Sequence, residues 1–154
     1  MKPTLKENMT HSLITIKESA LVSEAQRLML SEWIRHLPVT NVNGDSVVGI
    51  LSDRDLLRAP SLHTSVGELM STPVRCYDVN TPLRNVAQAM IDNKMSAFLI
   101  TDGSSVAGII TSEDLLLLLA KMLKDEPSPK WVLSELMVNP VIQKAVDMTA
   151  QAGI

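Results

Sequence analysis

Two short stretches combine residue types that could do chemistry: Ser52-Asp53-Arg54-Asp55 and Thr111-Ser112-Glu113-Asp114. In each, a hydroxyl is followed three residues later by a carboxylate, after a Gly-apolar-apolar run and before an apolar segment. That spacing has two uses. It is a capping box, in which hydroxyl and carboxylate satisfy the free N–H groups of a helix start. It also suits an anion: the hydroxyl and the unpaired N–H groups can meet a phosphate, and the Asp can accept from both hydroxyls of a ribose. The two uses share one geometry, and spacing alone does not choose between them. The chain shows no nucleophile–base pair and no Gly-rich phosphate loop. His11 and His63 have no partner at metal-ligand spacing. Neither an enzyme nor a metal site is expected.

The motif occurs twice because the chain repeats. Residues 9–13 match 70–74 and residues 25–29 match 86–90, both at an offset of 61, whereas residues 47–57 match 106–116 at 59. The turns Asn43-Gly44-Asp45 and Asp102-Gly103-Ser104 share the shorter offset. This places the two extra residues of the first copy between Met29 and Pro38, and aligns Arg35-His36-Leu37-Pro38-Val39 with Lys94-Met95-Ser96-Ala97-Phe98.

Each copy reads as β-α-β-β-α. An extended segment (13–16; 74–77) leads to an amphipathic helix. Its apolar face is Val22, Ala25, Leu28, Met29 and Trp33 in one copy, and Leu83, Val86, Ala87, Met90 and Ile91 in the other. Thr81 and Pro82 mark the second helix's start. Strands over 37–42 and 47–51, and over 97–101 and 106–110, flank turn residues as hairpins do. A further helix opens at Asp55 or Asp114. A repeat of about 55–60 residues buries its sheet poorly alone. The expected fold is therefore α/β (α+β), two repeats packed sheet to sheet with pseudo-two-fold symmetry, over 5–61 and 62–124. Residues 125–154 read as a proline-broken linker and a helical tail. There 133–141 echoes 66–74 like the start of a third repeat, and Val141, Ile142, Ala145, Val146 and Met148 fall mostly at helical spacing.

Composition narrows the partners. With 45% apolar and 20% charged residues the chain is an ordinary globular one. A net charge of −3 and 3% aromatics give no basic field and little stacking surface for nucleic acid. The single cysteine rules out an internal disulfide. The longest apolar run, 115–120, is far short of the roughly 20 residues that span a bilayer, and no apolar leader opens the sequence. A cytoplasmic protein is expected. Cys76 should be a buried thiol on a strand, Met29, Met90 and Met95 core filler, and Trp33 and Trp131 packing residues.

Residues 35–39 followed by 49–57, and 108–114 in the second copy, resemble the CBS domain. The paired occurrence over residues 5–124 resembles a tandem CBS pair, or Bateman module. The resemblance implies two clefts for adenosine-type ligands. It assigns phosphate contact to Ser52 and Thr111, ribose to Asp55 and Asp114, and adenine to the first-strand backbone at Thr15, Ile16, Cys76 and Tyr77. Arg35 and His36 would reach phosphates, and Pro38, Arg54, Ala97, Phe98 and Ser112 complete the implied ligand set. Glu113 in place of Arg54 makes the clefts unequal, the better-charged one lying near Arg35, His36 and Arg54. The implied function is non-catalytic: an adenine nucleotide (AMP, ADP or ATP) acts as regulatory ligand, no cofactor is required, and a homodimer modulates a partner protein. The alternative is a ligand-free dimerisation scaffold.

Overall fold

A computed structural model of the chain describes residues 3–123. The expected tail over 125–154, including Trp131, lies outside them. The first copy contributes α1 (Leu5–Asn8), β1 (Ile16–Lys17), α2 (Val22–Glu32), β2 (His36–Thr40), β3 (Val47–Ser52) and α3 (Asp53–Leu56). The second contributes α4 (Val66–Leu69), β4 (Cys76–Asp78), α5 (Leu83–Asn93), β5 (Ala97–Asp102), β6 (Ser105–Thr111) and α6 (Ser112–Met122). They form two three-stranded sheets, ordered β1-β2-β3 and β4-β5-β6. In each, a helical crossover makes the first pair parallel and a hairpin makes the second antiparallel.

Strand alternation decides what each sheet face meets. Leu37, Val39 and Leu51 pack with Val22, Ala25 and Met29 of α2. Phe98, Ile100 and Ile110 pack with Val86 and Met90 of α5. The strand residues between them, Ile50, Ala97, Leu99 and Ile109, form a third cluster joining one sheet to the other. The expected sheet-to-sheet architecture is therefore present.

The short leading helices cross over. Leu5 and Met9 of the first copy belong to the core of the second sheet, and Val66 of the second copy to the core of the first. Behind each helix one residue bridges the last strand of the core it has joined, Thr10 to Ile109 and Ser71 to Ile50. These contacts are mates under the internal repeat, so the two copies are interlocked rather than merely stacked.

Several local expectations are corrected. The second helices open at Asp53 and Ser112, two residues early, because Ser52 caps the first from outside. Helix α5 opens at Leu83 with Pro82 as its cap. Trp33 is not on the apolar face of α2. It is the C-cap in left-handed conformation (φ 54°) and is 92% exposed. Lys94 holds the same place at the end of α5, also at φ 54°. Cys76 is exposed, not buried.

The alignment of the copies also changes. Val39 faces Gly49 across the hairpin, and Ile100 faces Gly108, so the middle strands correspond at an offset of 61 and the last strands at 59. The extra residues lie in the turn, 41–46 against 102–105. Arg35 therefore corresponds to Ser96 and His36 to Ala97. Two backbone bonds agree: Asp53 donates to the Arg35 carbonyl at 3.0 Å, and Ser112 to that of Ser96 at 2.9 Å.

Both bridges need a bare backbone beside them. A Cβ on Gly108 would lie 2.5 Å from the Thr10 carbonyl oxygen, whereas one on Gly49 would meet the Met70 side chain. Backbone held in a bridge yields less readily than a thioether. Gly108→Ala is expected to cost about 1–3 kcal/mol and Gly49→Ala less. Equal urea midpoints for the two variants would contradict this.

Candidate functional site

The capping geometry is fully formed in both copies. Asp55 Oδ2 accepts from the Ser52 backbone N–H at 2.8 Å and from Ser52 Oγ at 2.6 Å, and Ser52 Oγ accepts from the Asp55 N–H at 3.3 Å. Asp114 and Thr111 repeat the pattern at 2.7, 2.8 and 3.3 Å. The difference lies at the other carboxylate oxygen. Asp55 Oδ1 accepts from the Arg58 guanidinium, whereas among the described residues Asp114 Oδ1 has no such donor. Burial raises the Asp55 carboxyl, but the bonds from Ser52 and Arg58 outweigh it and hold it below the usual carboxylate range.

Each pair opens onto a cleft whose opposite wall belongs to the other copy. Beside Ser52 and Asp55 lie Met95, Ser96 and Ala97, with Ile50 and Ser71 as floor, around a cavity of about 540 Å³. Beside Thr111 and Asp114 lie Ile34, Arg35, His36 and Pro38, with Ile109 and the segment Ser12, Leu13 and Ile14, around about 180 Å³. Under the corrected alignment the two linings correspond nearly residue for residue. Neither copy makes a cleft alone.

Charge separates them. The Ser52 cleft carries Arg54, Arg58 and Lys94 against Asp55. The Thr111 cleft carries Arg35 against Glu113 and Asp114, and Arg35 is bridged to Glu113 at 3.1 Å. The expected grouping of Arg35, His36 and Arg54 in one cleft is thus corrected, since Arg35 and Arg54 lie in different clefts. His36 stands between them and lines both, its Nε2 2.9 Å from Ser96 Oγ. Burial holds its imidazole below the ordinary range, Arg35 and Arg54 acting in the same direction and Asp53 and Glu113 opposing.

Of the residues named from sequence, Arg35, His36, Pro38, Ser52, Arg54, Asp55, Ala97, Thr111 and Asp114 line a cleft. Thr15, Ile16, Cys76, Tyr77, Phe98 and Ser112 do not. Ile16 is buried under α2, and Tyr77 packs edge-on to Phe98 in the second core. The chain meets the Thr111 cleft earlier, at residues 12–14. Among the lining residues, sequence reasoning missed Arg58, Lys94, Ser71 and Ile109. Arg58 had a usable signal: it stands three residues after Asp55 on the same helical turn. Among the described residues no cluster of acidic, His and Cys side chains is able to hold a metal, and no helix is long and apolar enough to cross a membrane.

Comparison with known proteins agrees with this arrangement. The family model of the CBS domain matches residues 5–62 and 66–121. A homoserine O-acetyltransferase of Methanococcoides burtonii is 35% identical over 109 residues, 70% of this chain but 22% of that protein. The chain thus spans about a fifth of the length of that relative. An uncharacterized conserved protein from Pyrococcus horikoshii superposes with TM-score 0.71 and 32% identity, covering 77% of this chain and 93% of that one. The CBS domain pair of protein MJ0100, solved in complex with 5′-methylthioadenosine and S-adenosyl-L-methionine, superposes with TM-score 0.71 and 26% identity, covering 79% and 99%.

The buried imidazole gives a pH dependence. The folded chain favours neutral His36, whereas the unfolded chain takes up a proton near pH 6.5. Stability is then unaffected by this group above about pH 6.5 and falls as pH drops below it. Asp55 works lower: its contribution is present above about pH 4 and is lost only below that. Denaturation midpoints should fall between pH 7 and 5, with a flatter slope in His36→Gln. An unchanged slope in that variant would show that other groups cause the fall.

Proposed function

The chain belongs to the CBS-domain family and carries two copies of the domain, and from that premise we propose that it is a non-catalytic regulatory module sensing an adenosine-containing ligand. The observation that carries the reading is the construction of the clefts. In each, a hydroxyl–carboxylate pair from one copy faces a strand from the other, so a bound nucleoside would touch both copies. A ligand that binds one relative placement of the copies better than another shifts the equilibrium between them. The related pair bound to methylthioadenosine and S-adenosylmethionine supports the adenosine moiety. The three cations of the Ser52 cleft support a phosphorylated form such as AMP, ADP or ATP.

The output is a contact with another protein, and the module works as a homodimer. Supporting this, Leu57 is 86% exposed and Leu116 62%, more large apolar surface than solvent-facing helices usually carry. The same surface would serve a scaffold with empty clefts. In that case the capping boxes would be the whole purpose of Ser52, Asp55, Thr111 and Asp114.

Thermal melts with millimolar adenine-containing ligands separate the two. A ligand at 100 times its dissociation constant adds about 2.7 kcal/mol. A selective rise in Tm, lost when Asp55→Ala and Asp114→Ala are combined, is the expected outcome. No rise with any ligand, with each substitution costing only about 1 kcal/mol, would leave the scaffold. Sedimentation should show a dimer, and a monomer would refute the homodimer.

A further inference from the structure

The two clefts share one plan but reverse its charge. Where the Ser52 cleft presents Arg54, the Thr111 cleft presents Glu113, and where the first has Arg58 the second has Leu117. Among the described residues the cation at the Thr111 cleft is Arg35, already engaged by Glu113 at 3.1 Å. His36, shared by both, is held toward its neutral form by burial. In the Ser52 cleft three cations face one carboxylate, and that carboxylate is already bonded by Arg58. Arg58 keeps 74% of its side chain exposed, so its remaining donors face solvent. A di- or triphosphate brought here meets a net positive charge, since Arg54 and Lys94 remain beside the Arg58–Asp55 pair. Brought to the Thr111 cleft it meets two carboxylates and an apolar wall.

Size points the same way. The Ser52 cavity, about 540 Å³, lies within the roughly 300–1,000 Å³ of ordinary ligand pockets. The Thr111 cavity, about 180 Å³, is smaller and is walled by Leu13, Ile14, Ile34, Pro38, Ile109 and Leu117.

We propose that the clefts divide ligands by charge: the Ser52 cleft takes an adenosine di- or triphosphate, and the Thr111 cleft takes an adenosine derivative without phosphate, neutral or cationic at its 5′ position. This rests on the adenosine-sensing reading above. Among the described residues Asp114 Oδ1 has no donor and can accept from a ribose hydroxyl. With Arg35 paired to Glu113, the carboxylate of Asp114 leaves the cleft net negative, which favours a positive 5′ group over a phosphate. The chain would then read two ligands at once, because both clefts are lined by the same pair of repeats.

Calorimetric titration of the full chain with ADP and with adenosine tests the division. One ADP per chain is expected, with adenosine still binding at saturating ADP. The ADP affinity should fall with added salt and the adenosine affinity should not. Glu113→Arg, at an exposed position, should raise ADP stoichiometry from one to two. Arg54→Glu should weaken ADP at least tenfold and leave the adenosine site intact. Two equivalent ADP sites in the unaltered chain, or no added site in Glu113→Arg, would overturn the division while leaving adenosine sensing in place. Absence of both ADP and adenosine binding would instead remove the sensing reading on which it rests.

Discussion

Each three-stranded sheet has two apolar faces, and α2 or α5 packs on only one of them. The uncovered face must be buried on the other copy, and Ile50, Ala97, Leu99 and Ile109 do this. Removing a large aliphatic side chain from water contributes about 1.5–3 kcal/mol. Three such residues are therefore comparable with the net stability of a whole small domain, about 5–15 kcal/mol. A single copy would expose this face. The crossed leading helices strengthen the constraint, since each core is completed from the other copy: by Leu5 and Met9 in one, by Val66 in the other.

The clefts follow from that packing. Two twisted sheets joined through the central residues of their strands diverge toward the strand ends. Those ends carry Ser52 and Thr111 on one side and Ser96 and Arg35 on the other. A capping box placed at such a margin has a second use available, because its hydroxyl and carboxylate face an opening instead of bulk solvent. His36 is where the two margins meet. It sits on the inner sheet face at the position Ala97 holds in the other copy, and its bond to Ser96 ties the strand ends together.

Much of this was legible in the sequence. Alternating apolar residues in the strands and three/four spacing in α2 and α5 follow directly from which face is wet. Ser52, Asp55, Thr111 and Asp114 were legible because a capping box is local: four consecutive residues contain all of its partners. The correspondence of Arg35 and His36 with the second copy was misjudged because a turn was lengthened. An insertion in the hairpin at 41–46 leaves both hairpin strands intact, and matching the turn Asn43-Gly44-Asp45 to Asp102-Gly103-Ser104 placed the extra residues before β2 instead. Only the pairing of Val39 with Gly49 and of Ile100 with Gly108 settled the register. Trp33 was misplaced for a related reason. Its apolar side chain continued the helical pattern, while the chain had already turned left-handed to enter β2.

The sequence by itself determined the repeat, the β-α-β-β-α order that follows the leading helices α1 and α4, and the two capping boxes, because their signals lie within a few residues. Tertiary structure alone decided which cleft each charge enters. Arg35 and Arg54 are close in sequence, yet the sheet between them sends one to Glu113 and the other toward Asp55 and Arg58. A cleft assembled from two copies takes its charge from positions far apart in sequence, Arg35 with Glu113 in one and Arg54 with Lys94 in the other. Local spacing carries no record of such a pairing, which depends on how the sheets are joined.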